Sequence, residues 1–134
     1  LALSVIYESG IQHMADKAEA YLSLPEAPKN FLKAVPAAWD ETRFITGIPG
    51  ETVVIARRKD DNWYIGGING TSGSRDIQIE TDFLNSGTDY DMKLITDGTQ
   101  PETFHAETRN IAKNQSFQVS MKANGGFAAR LKEK

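Results

Sequence analysis

The stretch from Val53 to Glu80 constrains the fold of this chain more than any other. Thr52, Val53, Val54, Ile55, Ala56, Arg57 and Arg58 form a run rich in β-branched residues, which suit a pleated surface. Lys59, Asp60, Asp61 and Asn62 make a polar break, and Trp63, Tyr64, Ile65, Gly66, Gly67 and Ile68 form a second run. That pattern predicts a β-hairpin with a four-residue loop. After a Gly/Ser/Thr/Asn connection, Asp76, Ile77, Gln78, Ile79 and Glu80 alternate polar and apolar, as a strand with one wet face does. Three consecutive antiparallel strands are expected to share one sheet, and that sheet needs a partner layer.

Further strands follow by the same reasoning. Trp39 to Ile45 reads as a first strand, with Trp39 and Phe44 as its large apolar groups, and Gly47 to Gly50 as the turn into the hairpin. Tyr90, Met92 and Leu94 alternate with polar neighbours, and Asp97 with Gly98 supplies a turn. Thr103 to Ile111 is a weaker strand. Phe117, Val119 and Met121 alternate with Gln118, Ser120 and Lys122, and Phe127, Ala129 and Leu131 form the last strand after Asn124, Gly125 and Gly126. The expected fold class is all-β: an antiparallel β-sandwich of about eight strands preceded by an N-terminal helical segment. The helical segment is placed at residues 1–35 and the sandwich at residues 36–134.

The helical segment has two parts. Leu1 to Tyr7 are apolar nearly throughout, so a helix there needs partners on several sides, and no Ser, Thr, Asp or Asn precedes it as a cap. The expectation is a helix whose partner surface lies upstream, in a longer protein. From Ile11 to Leu22 the spacing of Ile11, Met14, Ala15, Ala18, Tyr21 and Leu22 predicts an amphipathic helix, ended by Leu24 and Pro25. Pro28 is expected to keep the chain irregular, and Asn30 to cap a short helical turn through Val35 that stops at Pro36.

At 134 residues the chain suits one domain with a real core. A net charge of -3 argues against nucleic-acid binding, which depends on neutralising phosphates. The basic cluster Arg57, Arg58 and Lys59 ends in Asp60 and Asp61 and reads as a solvated strand end. Without cysteine there is neither a disulfide framework nor thiolate chemistry. No apolar run approaches the ~20 residues of a membrane helix, and no signal-peptide pattern stands at the start.

No catalytic constellation emerges, so the expectation is no catalytic, cofactor or metal residue in this chain. Asp40 with Glu41, Asp60 with Asp61, and Glu80 with Asp82 are carboxylate pairs, but adjacent strand residues point to opposite faces and cannot converge on one atom. Asp60 and Asp61 are placed on a solvated hairpin tip, with calcium ligation as the competing reading. His13 and His105 lack a partner or ligand spacing and read as surface residues. Gly66, Gly67, Gly70 and Gly73 lead into a strand rather than a helix, which argues against a phosphate loop and for a strand-to-strand connection in which Gly66 and Gly67 permit a bulge or close packing. Asn69-Gly70-Thr71 and Asn114-Gln115-Ser116 match the glycosylation triplet, a pattern too common to carry weight. Trp39 and Tyr64 are the candidate sugar contacts, since flat aromatic faces bind sugar rings; Trp63 and Tyr64 are neighbours, so one is expected to face the core and the other outward.

Several segments in the right order resemble a known family. Leu1 to Ser9 with Ile11 to Asp16, Phe31 to Pro36, Trp39 to Thr42, Val53 to Arg58 with Trp63 to Gly66, Asp82 to Leu84, and Gly125 to Ala128 are similar to the C-terminal region of glycoside hydrolase family 97. The resemblance implies a parent α-glucosidase or α-galactosidase, calcium-dependent and periplasmic or secreted, whose (β/α)8 barrel carries the active site. Leu1 to Leu22 would then be the last barrel helix and its exit. The implied role is a noncatalytic accessory domain that packs on the barrel of the same polypeptide and aids homo-oligomer formation. The alternative is a carbohydrate-binding module using Tyr64 or Trp39.

Overall fold

The computed structural model describes residues 1–11 and 16–134. Among them, three short helices precede eight strands: α1 (Leu3–Ile6), α2 (Ala18–Leu22), α3 (Glu26–Ala34), β1 (Glu41–Ile48), β2 (Thr52–Lys59), β3 (Asn62–Asn69), β4 (Arg75–Glu80), β5 (Asp89–Asp97), β6 (Phe104–Ala112), β7 (Ser116–Met121) and β8 (Gly126–Glu133). A six-stranded antiparallel sheet runs in the order β1-β2-β3-β8-β5-β6, and β4 and β7 form a two-stranded sheet. The sandwich is therefore lopsided.

The central hairpin forms with Thr52 paired to Asn69 and Lys59 to Asn62, so its loop is two residues rather than four. Asp60 takes the left-handed conformation that so tight a reversal requires (φ 51), one Asp adopts more readily than most residues. The third expected strand does not join this hairpin. β3 already pairs with β8 on its free side, so β4 crosses to the second layer and pairs with β7. Asn69 holds the crossing: this buried carboxamide donates to the carbonyls of Gly73 (2.7 Å) and Lys122 (2.9 Å). The first glycosylation triplet thus begins at an enclosed residue.

Between the layers lies the main core. Trp63, Ile65 and Phe127 from the large sheet meet Ile79, Val119 and Met121 from the small one, joined by Tyr90, Met92 and Leu131. Trp63 also packs on Phe83 with ring centroids 4.7 Å apart. Alternation along β3 sends Trp63 and Ile65 to this side and Tyr64 and Gly66 to the other.

That other face is covered as well. Val5 of α1 and Phe31 of α3 pack with Tyr64, Ile95 and Ala128 in a second cluster. Trp63 and Tyr64 are consequently both buried, at 2% and 3% exposed, which corrects the expectation that one of them faces outward. The opening helix finds a partner surface within the chain itself. Ala2, Val5 and Ile6 bury against the chain's own sheet, while Leu3 and Tyr7 stay exposed.

The helical segment differs in detail too. The expected helix from Ile11 to Leu22 is found only as α2, which buries no residue; Gln12 to Ala15, and with them His13, lie outside the described residues. α3 begins at Glu26 and includes Pro28 in its first turn, where a missing N–H costs nothing because that donor has no intrahelical acceptor. Asn30 is therefore interior, donating to Glu26 across one turn, and the helix ends at Val35 before Pro36 as expected.

Candidate functional site

The large sheet's outer face gathers most of the chemistry this chain holds. β2 contributes Val53, Ile55 and Arg57 to that face, and Arg57 stands directly across from Tyr64 on β3 and Thr42 on β1. Arg57 is only 4% exposed, not a solvated strand end. Its Nη2 donates to the Ile6 carbonyl at 3.2 Å, where α1 ends, and its guanidinium lies 5.8 Å from the centre of the Trp39 ring. Glu8 provides a carboxylate 3.6 Å from Nη1, but the Glu8 side chain is largely exposed. Arg57 Nε and Nη1 and Trp39 Nε1 are buried without hydrogen-bond partners. The alternation of Val53, Ile55 and Arg57 was the sequence signal for this burial, because it puts the arginine on an otherwise apolar face.

Tyr64 is enclosed. Phe31 and Trp39 meet its ring edge-on at 6.0 and 5.4 Å, and Arg130 lies over it at 5.7 Å. Its hydroxyl donates to the Ala34 carbonyl at 2.9 Å, and burial pushes its pKa above the ordinary tyrosine value. The ring is thus a pillar between sheet and α3, with no free face for a sugar. Trp39 is half-buried beside it, just before β1 rather than within it.

The carboxylates do not converge. Asp40 accepts a hydrogen bond from the Asp60 backbone N–H at 2.7 Å and from Lys59 Nζ at 2.9 Å, which hold its carboxyl below the usual carboxylate range. Glu41 is held low by Arg43 and then Arg58. These acids brace the end of the β1-β2-β3 unit. Asp61, Glu80 and Asp82 join no such group, and His105 is exposed on β6. Among the described residues no three His, Asp or Glu side chains gather as cation ligands.

Large apolar side chains are exposed at Leu3, Tyr7, Ile11, Leu22, Phe44 and Ile48, all within the first 48 residues. Phe44 is 68% exposed and stands across from Ile55, on the same outer face that carries α1. The sequence reading had placed Phe44 only as a large apolar group of the first strand.

A family model described as "Glycosyl-hydrolase 97 C-terminal, oligomerisation" matches residues 38–132. A probable retaining alpha-galactosidase of Streptomyces bingchenggensis is 41% identical over 130 residues, covering 96% of this chain and 19% of the relative. A retaining alpha-galactosidase of Bacteroides thetaiotaomicron is 35% identical over 136 residues, with 98% and 20% covered. Among solved structures, a glycoside hydrolase family 97 enzyme from a Pseudoalteromonas species, in complex with acarbose, superposes with a TM-score of 0.90 at 28% identity, over 99% of this chain and 22% of that one. The chain spans about a fifth of the length of the curated relatives it matches.

Proposed function

This chain belongs to the glycosyl-hydrolase 97 C-terminal family, and on that premise we propose that its work is done by its surface: it packs on the catalytic (β/α)8 barrel of a longer polypeptide and helps copies of that polypeptide associate. The observation that carries this reading is the confinement of exposed large apolar residues to the N-terminal segment and β1. Exposed large apolar residues concentrated in one stretch of a chain mark contacts with other protein. On this reading the barrel cleaves an α-glucosidic or α-galactosidic bond, calcium belongs to the barrel, and the whole enzyme works in the periplasm or outside the cell. No residue of this chain is assigned to the chemistry.

Sedimentation velocity on the longer polypeptide tests the proposal. A Phe44→Glu variant is expected to lower the oligomeric state while leaving the circular dichroism of the sandwich unchanged. An unaltered assembly in both Phe44→Glu and Tyr7→Glu variants would overturn it. The 134-residue chain alone is expected to show no turnover of nitrophenyl α-galactoside or α-glucoside. Turnover that vanishes on changing one of its acids would refute the accessory role.

A further inference from the structure

We propose that the cleft between α3 and the outer face of β5 and β8 binds a small sugar acid, a uronic-acid residue whose carboxylate meets Lys93, Arg130 and Lys132. The cleft has a volume of about 440 Å³, within the range of small-ligand sites. Its apolar surface is made by Phe31 of α3 and Ile95 of β5, and Asn30 adds an amide to the rim. A flat, weakly polar ring face above a carboxylate matches that division.

The charges favour an anionic ligand. Lys93 on β5 stands directly opposite Arg130 on β8, on the same face. Like charges directly opposed across strands are destabilising, and among the described residues neither cation has a carboxylate within ion-pair distance. Lys132 has none either. Its cross-strand neighbour Asp91 is instead 3.3 Å from Lys134. Arg130 Nε is buried without a hydrogen-bond partner, although Nη2 donates to Asn62 at 3.3 Å. Three cations therefore converge on a cleft whose lining holds one carboxylate, Asp91, which is engaged by Lys134 rather than by them, in a chain whose net charge is -3. A carboxylate placed among them relieves the repulsion and takes charge-assisted hydrogen bonds.

The anionic character of the ligand follows from this geometry; its sugar nature rests on the reading of the chain as part of a glycoside hydrolase. Amide-resolved NMR titration of the 134-residue chain with sodium D-glucuronate, D-glucose and inorganic phosphate tests both. Glucuronate is expected to give saturable shifts at Lys93, Arg130 and Lys132, with binding at least about tenfold tighter than that of glucose. Lys93→Glu is expected to abolish the shifts while melting no lower than the unaltered chain, because it replaces a like-charge pair by an attractive one. Lys113→Glu, the same charge change elsewhere, is expected to leave them intact. Glucose binding as tightly as glucuronate overturns the role of the cations, phosphate binding as tightly overturns the sugar assignment, and no saturable shift overturns the site. The oligomeric state of the longer polypeptide is read separately, so a failed titration does not bear on the accessory role.

Discussion

At the scale of single residues, two adjacent glycines decide how closely the layers approach. A Cβ on Gly66 would lie 2.8 Å from the Ala2 carbonyl oxygen and 2.9 Å from Val5 Cβ, so the glycine is what lets α1 rest on β3. On the opposite face, a Cβ on Gly67 would overlap the Phe127 ring. The sequence reading of close packing holds at both, without the bulge it offered as an alternative, since the β2–β3 register runs unbroken past them. Gly66→Ala is expected to cost about 1–3 kcal/mol, the usual range for forced overpacking, read as a lower urea midpoint together with faster proteolysis near residues 1–10. Tyr64→Phe keeps the ring but leaves the buried end of α3 without its donor at Ala34. A loss of about 1 kcal/mol is expected; no change in the urea midpoint would mean that the hydroxyl does not hold the helix.

At the scale of elements, the end of the β1-β2-β3 unit is braced by charge rather than by apolar contact. Asp40 closes it, receiving the Asp60 N–H at the hairpin tip and the Lys59 ammonium from β2. Its folded pKa is depressed, so its contribution to stability is fully present above the ordinary carboxylate value, about 4, and is lost as pH falls through the depressed value. The thermal midpoint of the chain should therefore decline between pH 4 and lower pH more steeply than that of Asp40→Asn, whose side chain does not titrate; parallel profiles would exclude the brace. Salt should weaken the same brace, since these groups are solvent-exposed. The helices show how position changes the meaning of a residue. Pro28 reads as a breaker in isolation, yet as the third residue of α3 it meets no acceptor and is tolerated.

At the scale of the whole molecule, the structure has three layers: helices, the six-stranded sheet, and the two-stranded sheet. The N-terminal segment supplies the first layer, burying Val5 and Phe31 against Tyr64, Ile95 and Ala128. Removing residues 1–35 uncovers that face, and the remaining strands are expected to keep their β spectrum while binding a hydrophobic dye and self-associating. A truncated chain that stays monomeric and dye-negative would show the helical layer to be dispensable.

The sequence by itself determined the strands. Period-two alternation and turn residues located all eight within a few positions, because those signals are local and each residue carries its own preference. Three things were not legible there: which sheet β4 joins, what covers Arg57, and what α1 packs on. Each depends on residues far apart in the chain. β8 occupies the edge that β4 would have taken, Gly66 admits α1, and α1 in turn buries Arg57 under the Ile6 carbonyl. Pairing between distant strands is settled by competition for edges and by close approach of backbones, and only the tertiary structure decides that competition.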